Sequence, residues 1–236
     1  SFSITARGWP LFFLIFVFAY CLTSTGYTQS FYPDDIGNQW VLRSIDGMNL
    51  RTVTIRGPEI INGEELRLIE ENTNGNINQL FVRSEADAIK LFQSVVSIAI
   101  LGEIAFDYSP PQVFLPVPAD LGTTWTVQSE TEVALVGKVR TTNRGEVVAI
   151  EEVITPAGTF QNCLKIEQNI ILNLAIADLV LNNVMWLAPD TGIVKATDTN
   201  GVIFELVSFD IAEREPQTAV QPGGKLATTW AAMKHK

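Results

Sequence analysis

The feature that most constrains this chain is a two-residue alternation of apolar and polar side chains that follows Phe160. The odd positions are mostly polar, and the even positions carry the apolar side chains Leu164, Ile166, Ile170, Leu172 and Leu174. A period of two places one face of a strand on a core and the other in water. Just before this run, Pro156 and Gly158 suit a tight chain reversal. The pattern over residues 151–174 therefore predicts the end of one strand, a tight turn and a long second strand.

Turn signals recur at short intervals along the rest of the chain. Asn-Gly or Asp-Gly pairs, or close variants of them, occur at 46–47, 62–63, 74–75, 143–145, 190–192 and 200–201. The runs between them are strand-like, and no long helices alternate with them, which disfavours a parallel α/β fold. The predicted fold class is all-β with a minor helix, arranged as a curved antiparallel sheet or a half-open β-barrel.

Residues 84–101 fit two interpretations. Their apolar side chains have helical spacing, and Ser84 followed by Asp87 resembles a capping box. The β-branched residues at 89, 95, 96, 98 and 100 favour a strand instead. We predict a strand over 88–93 followed by a short helix.

The middle of the chain is rich in proline. Residues 108–118 contain four prolines, each of which removes a ladder donor, so the segment is predicted to be a stiff crossover and not a central strand. It joins an N-terminal set of strands to a C-terminal set. The pentapeptide at 121–125 then echoes the one at 36–40, because in each a glycine precedes a tryptophan by three residues. The echo suggests two similar halves.

The two ends of the chain differ in composition from the middle. Residues 1–30 carry one charge, Arg7, and an apolar run of 14 residues at 9–22, which is short for a membrane span of about 20. We predict a signal peptide there, with a membrane anchor and lipidation of Cys21 as alternatives. Residues 31–211 are predicted to form one antiparallel β domain. Residues 212–236 are predicted to be a flexible linker with a short basic tail.

Charge and residue counts exclude several kinds of chemistry. The net charge of −10 disfavours nucleic-acid binding. The one histidine is His235, so residues 31–211 cannot hold a Ser-His-Asp or Cys-His arrangement or a histidine-based metal site. Two cysteines make no disulfide framework, and Cys163, on the more polar face of its strand, is interpreted as a packed structural thiol. We expect no cofactor and no enzymatic activity, and we favour a carboxylate enzyme least.

Four segments carry a resemblance to known proteins. In order along the chain they are FYPDDIGNQW, DYSPPQVFLPVPADLGTTW, ITPAGTFQNCLKIE and MWLAPDTGIVKATDTNGVIFELVSFD. Over most of residues 31–210 they resemble a group of exported bacterial β-rich proteins of unknown function. Such domains resemble the half-open barrels of the lipoprotein carriers LolA and LolB, which bind acyl chains in an apolar cavity. The resemblance implies a fold and transfers no ligand or site residue. This sequence departs from the carriers because it shows no long amphipathic helix.

These observations predict a non-enzymatic, exported binding or scaffold domain in the periplasm or on the cell surface of a bacterium. Its ligand, if it has one, is expected to be apolar, such as a lipid. Large side chains with a predicted inward phase would line the concave face: Trp40, Trp125, Leu164, Ile166 and Trp186. The alternative is a structural or interaction protein of the cell envelope without a pocket, recruited through the tail from Lys225 to Lys236. Membrane contact is expected only through the N-terminal segment.

Overall fold

The protein is a closed barrel of twelve antiparallel strands in a computed structural model that describes residues 30–98, 102–133, 137–173 and 178–212. Each strand pairs with its neighbours in sequence, and β1 pairs with β12. The strands are β1 Gln39–Ser44, β2 Leu50–Ile61, β3 Glu64–Thr73, β4 Asn76–Ser84, β5 Ala88–Ile98, β6 Gly102–Pro116, β7 Thr124–Val133, β8 Gly137–Thr155, β9 Gly158–Asn173, β10 Asp178–Ala188, β11 Gly192–Thr197 and β12 Ile203–Asp210. The all-β antiparallel class is confirmed, and the sheet closes fully where we had expected a half-open barrel.

The predicted short helix after residue 93 is wrong over the residues that the structure describes, because β5 continues as a strand to Ile98. Ladders with β4 on one side and β6 on the other satisfy the backbone groups of β5. A helix would have had to satisfy the same groups internally. None of the described segments forms a helix long and apolar enough to cross a membrane. Residues 1–29 and 213–236 lie outside the described residues, so the signal peptide, Cys21 and the basic tail stay predictions.

The predicted similarity of the two halves appears as a repeated hydrogen-bond pattern. Gly37 N donates to Ile55 O, and Gly122 N donates to Val147 O, both at 2.9 Å. The same partners, Ile55 and Val147, return a bond to the carbonyl of the residue that follows each glycine, again at 2.9 Å. Both glycines have positive φ, 100° and 83°, which L side chains rarely adopt. The barrel thus consists of two six-stranded halves, β1–β6 and β7–β12, that begin in the same way.

Among the residues that the structure describes, the buried apolar side chains form three clusters. The main core surrounds Trp40 and includes Leu42, Val147, Leu164, Ile166, Leu187 and Leu206. A smaller cluster at the opposite ends of β8 and β9 contains Val133, Val139 and Leu172, with Ile104 and Phe106 packed against it. A third cluster joins Leu66, Leu68 and Phe81.

The proline-rich segment is part of a strand, which corrects the predicted crossover. Pro110, Pro111 and Pro116 all lie in β6, which makes ten residue pairs with β5. With β7, however, β6 makes a single registered pair, Ser109 with Glu130. Proline supplies no N–H, and residues 108–111, which include Pro110 and Pro111, have no registered partner in β5 either. We call the boundary between β6 and β7 the β6–β7 seam.

Candidate functional site: a polar belt behind the β6–β7 seam

Three of the five predicted site residues lie together in the main core. Trp40, Leu164 and Ile166 are no more than 1% exposed, and their neighbours are other core side chains. The inward phase of Leu164 and Ile166 follows from β9, whose even positions point into the barrel, and Trp40 on β1 is fully buried. They are packed as a solid core here, so a role in lining a ligand site stays a prediction for them.

Trp186 projects from the outer face of the sheet, so the inward phase that we predicted for it is wrong. Its ladder partner is Lys165, which alternates with the inward Ile166. The indole Nε1 donates to Glu151 Oε1 at 2.5 Å, and the ammonium groups of Lys165 and Lys195 lie 5.5 Å from the ring centroid. The ring therefore takes part in a surface cation–π cluster.

Trp125 lies at the edge of the main core and occupies the place in its half that Trp40 occupies in the other. Each indole covers a glycine: a Cβ would come within 2.0 Å of the Trp125 ring at Gly145, and within 2.8 Å of the Trp40 ring at Gly192. The two indole N–H groups differ. Trp40 Nε1 donates to Thr191 O at 2.5 Å, whereas Trp125 Nε1 is buried and has no hydrogen-bond partner.

A layer of neutral polar side chains crosses the barrel interior between the two apolar clusters. On β9 the inward positions run Leu164, Ile166, Gln168, Ile170 and Leu172, so that one amide interrupts an apolar series. Similar interruptions occur on β6, β7, β8 and β10. We call this layer the polar belt, and its members are Gln112, Ser129, Thr131, Thr141, Asn143, Gln168 and Asn183. All are buried except the half-buried Asn183.

The belt closes the β6–β7 seam with side chains in place of a ladder. Three belt side chains, each from a different strand, donate to carbonyl groups of β6: Ser129 to Pro110, Asn143 to Val113 at 3.1 Å, and Gln168 to Phe114 at 3.3 Å. Two further bonds join belt members to each other: Gln112 Nε2 to Ser129 Oγ at 2.7 Å, and Asn183 Nδ2 to Gln168 Oε1 at 3.2 Å. Each of the first three bonds satisfies a backbone carbonyl of β6.

Hydrogen bonding within the belt is nevertheless incomplete. Five buried belt oxygens have no partner: Gln112 Oε1, Thr131 Oγ1, Thr141 Oγ1, Asn143 Oδ1 and Asn183 Oδ1. Leaving a buried polar group unpaired costs about 1–3 kcal/mol, and native proteins contain only a few such groups per 100 residues. Concentrating five of them in one layer of one barrel needs a physical explanation, which makes the belt the candidate functional site.

None of the belt residues was predicted, although the sequence carries a signal for them. Gln168 stands at an even position within the apolar series of β9, and Asn143 and Thr141 hold the corresponding inward positions of β8. A polar residue in an inward phase must find a partner or lose hydration. Searching each predicted strand for such exceptions would have found Gln168.

An open groove of about 580 Å³ lies on the outer face of β7–β10. It is lined by polar residues of the outer face, Thr124, Thr126, Arg144, Glu146, Glu167, Asn169 and Asn182, together with Trp125, Gly145, Gln168, Asn183 and Val184. Glu146 faces Glu167 across the β8–β9 ladder, and Asn169 Nδ2 donates to Asn182 Oδ1 at 2.8 Å. Throughout the described ranges, no group of three or more His, Cys, Asp or Glu residues could hold a metal ion.

Cys163 is a buried thiol in the main core, whereas we had placed it on the more polar face of its strand. Asn162, with φ of 56°, and an irregularity in the facing β8 between Glu151 and Val153 disturb the alternation, so Cys163 and Leu164 are both buried. The thiol donates to Phe160 O at 3.4 Å. Burial raises the pKa of Cys163 to about 11. The group is protonated at neutral pH, as expected for a structural thiol.

The second half of the barrel carries a sequence similarity to a known family. Residues 119–203 match the DUF3108-like family model. The match runs from the loop before β7 to the start of β12, about a third of the chain, and it agrees with the predicted resemblance.

Two solved structures are similar to the chain, each at 15% identity and covering 77% of this chain and 99% of the other. One is a candidate lipoprotein from Parabacteroides distasonis, with a TM-score of 0.45. The other is a candidate exported protein with a YmcC-like fold from Bacteroides fragilis, with a TM-score of 0.43. No curated protein matches this sequence.

Proposed function

We propose that this protein is an exported, non-enzymatic binding domain of the bacterial cell envelope that holds an apolar ligand such as a lipid. The observation that carries the proposal is the β6–β7 seam. Parting any other pair of strands would break a ladder of several residue pairs, whereas β6 and β7 share one registered pair. The barrel can therefore open at the seam at the lowest cost in backbone hydrogen bonds.

The side chains behind the seam support an apolar ligand. Phe114, Leu91 and Met185 pack against the main core but are only partly buried. Phe114 also contacts Tyr32 edge to face, with ring centroids 5.1 Å apart. Partly buried apolar side chains can repack around an acyl chain more easily than those of a solid core.

The chemistry of the described residues supports binding over catalysis. The belt contains amide and hydroxyl groups and no ionisable side chain that could act as a general acid or base. The chain's one histidine is His235, far in sequence from the barrel strands. Export, to the periplasm or the cell surface, is proposed from the apolar N-terminal segment alone.

A second candidate is a structural or interaction protein of the cell envelope, recruited through the tail from Lys225 to Lys236. The solid packing of Trp40, Leu164 and Ile166 favours it, because a filled core needs no ligand for stability. This candidate predicts that the purified protein carries no lipid and that deletion of residues 213–236 abolishes partner binding.

Native mass spectrometry of the protein purified from a bacterial envelope separates the two candidates. The binding proposal predicts adducts in the mass range of lipids, which organic extraction removes. It also predicts that adding back the extracted lipid raises the midpoint of thermal unfolding. A protein that is free of adducts, and that no added lipid stabilises, would contradict the binding proposal and favour the structural one.

A further inference from the structure

We infer that the polar belt is the site for the head group of the ligand, and that this head group is neutral and rich in hydroxyl or amide groups. This inference rests on the proposed function and names the chemical class of its ligand, an amphipathic molecule with an uncharged head. It is carried by the unpartnered atoms of the belt, by the apolar clusters on both sides of it, and by the seam in front of it.

The unpartnered atoms define the complementary chemistry. Three are amide oxygens, which accept hydrogen bonds, and two are threonine hydroxyls, which donate and accept. Trp125 Nε1, also buried and unpartnered, adds a donor. A hydroxyl-bearing or amide-bearing head group offers donors to the first set and an acceptor to the indole. Water alone could bond to the same atoms, so the test must show binding of a whole amphipathic molecule.

The absence of charge in the belt excludes an ionic head group. The charged side chains of the neighbouring strands, Arg144, Glu146 and Glu167, are exposed on the outer face. A carboxylate or phosphate in the belt would find donors at the threonine hydroxyls and the indole but no cation, and its charge would lose hydration without an opposite charge to compensate. A neutral head group avoids this cost.

The layers on either side of the belt suit the rest of an amphipathic ligand. Along β8, Val147 belongs to the main core and Val139 to the smaller apolar cluster, with Asn143 and Thr141 between them. A head group held at Asn143 would therefore have apolar side chains along the strand in both directions. A chain attached to it stays in apolar surroundings whichever way it runs.

The ligand enters the belt through the β6–β7 seam. The unpartnered belt atoms have no contact with solvent, so a ligand reaches them only if neighbouring strands part. Opening the seam breaks the bonds from Ser129, Asn143 and Gln168 to the carbonyls of β6. The hydroxyl groups of the incoming head group can replace these donors. Binding therefore compensates for the hydrogen bonds that opening breaks, and it favours the open state.

Isothermal titration of the full chain with two lipids of the same chain length tests the inference. The probes are monolauroylglycerol, with a neutral diol head, and laurate, with an anionic head, each below its critical micelle concentration. We expect monolauroylglycerol to bind at least about tenfold more tightly, since it forms hydrogen bonds that the carboxylate cannot form.

The matched variants are T131V/T141V in the belt and T126V on the outer face of β7. Neither belt hydroxyl makes a hydrogen bond, so T131V/T141V breaks none and should unfold at the same temperature or higher. It should weaken monolauroylglycerol binding about tenfold and laurate binding less, because the diol head can both donate to and accept from each hydroxyl. T126V, which alters an exposed threonine, should change neither affinity. If the double variant fails to fold, Thr141→Val alone tests the same point with about a threefold loss.

The outcomes separate this inference from the proposed function. If neither lipid binds, the proposed function itself fails. If both lipids bind equally and T131V/T141V binds them as well as the unchanged protein, the binding function stands and the belt is not the head-group site.

A disulfide across the registered pair, S109C/E130C, should block binding until it is reduced. Full binding to the oxidised form would show that the ligand does not enter through the seam.

Discussion

Gly145 lies directly beneath the indole of Trp125, where a Cβ would come within 2.0 Å of the ring atom Cζ2. No side chain can occupy that position unless the ring moves. The φ of Gly145 is not positive, so the ring and not the backbone requires the glycine. Trp40 also covers a glycine, but its ladder partner on β2 is Val53, and the glycine is Gly192 of β11. The first tryptophan of each half therefore covers a glycine, on the adjacent strand β8 for Trp125 and on β11 for Trp40.

Gly145→Ala should destabilise the protein by about 1–3 kcal/mol, because the added methyl group displaces the Trp125 ring. Urea denaturation measures the change in the free energy of unfolding. The same substitution in a Trp125→Leu background should cost much less, since the ring is gone. An equal cost in the two backgrounds would show that the ring is not the cause.

Trp40→Phe and Trp125→Phe should differ in cost although the residues occupy equivalent places. Trp40→Phe removes the donor of a hydrogen bond to Thr191 O and should cost about 2–4 kcal/mol. Trp125→Phe removes a buried N–H that has no partner, which offsets part of the lost packing and should hold the cost to about 1 kcal/mol. Thermal and urea unfolding give both values. Equal losses would mean that Trp125 Nε1 has a partner in solution.

Asn38→Ala should lower the free energy of unfolding by about 2–3 kcal/mol. The fully buried Asn38 side chain, which directly precedes β1, forms hydrogen bonds with backbone groups before β1 and after β12. Its Nδ2 donates to Pro33 O at 2.9 Å, and its Oδ1 accepts from Ala212 N at 2.8 Å. Urea denaturation provides the measurement. Asn200→Ala, in the exposed turn before β12, is the control and should stay within about 0.5 kcal/mol. A neutral Asn38→Ala would refute the anchoring role.

The Cys163 thiol should make the protein less stable above pH 9. Burial raises the pKa of Cys163 to about 11 in the folded protein, from 9.0 for an unperturbed thiol. The stabilising contribution is therefore complete below pH 9 and is lost as the pH rises towards 11, where the unfolded chain releases its proton first. The difference in stability between the unchanged protein and Cys163→Ala should shrink by about 2 kcal/mol between pH 8 and pH 11. A difference that does not vary with pH would contradict the raised pKa.

The same thiol offers a kinetic test. Because Cys163 is fully buried and protonated, it should react with an aromatic disulfide reagent at pH 8 only as fast as the barrel opens. In urea the reaction should be complete within the mixing time. Rapid reaction of the Cys163 thiol in the folded protein would show that this part of the core is open.

The direction in which a side chain points can be predicted from sequence when it depends on the alternation within a single strand. The inward phase of Leu164 and Ile166 follows from alternation within β9, and both are buried. The prediction failed for Trp186, whose phase depends on the register of β10 against β9, and for Cys163, whose burial depends on irregular backbone at Asn162. The helix expected after residue 93 failed for a related reason, since pairing with β4 and β6 overrode local periodicity.

The sequence by itself determined that this protein is an antiparallel all-β protein whose two halves begin alike, because alternation and glycine turns are local properties. Only the tertiary structure decided that β1 meets β12, that β6 and β7 share one registered pair, and that Asn143 and Gln168 donate to consecutive carbonyls of β6. These depend on which strands meet and in what register. Register between strands distant in sequence is set by the collective packing of the barrel and not by any one segment.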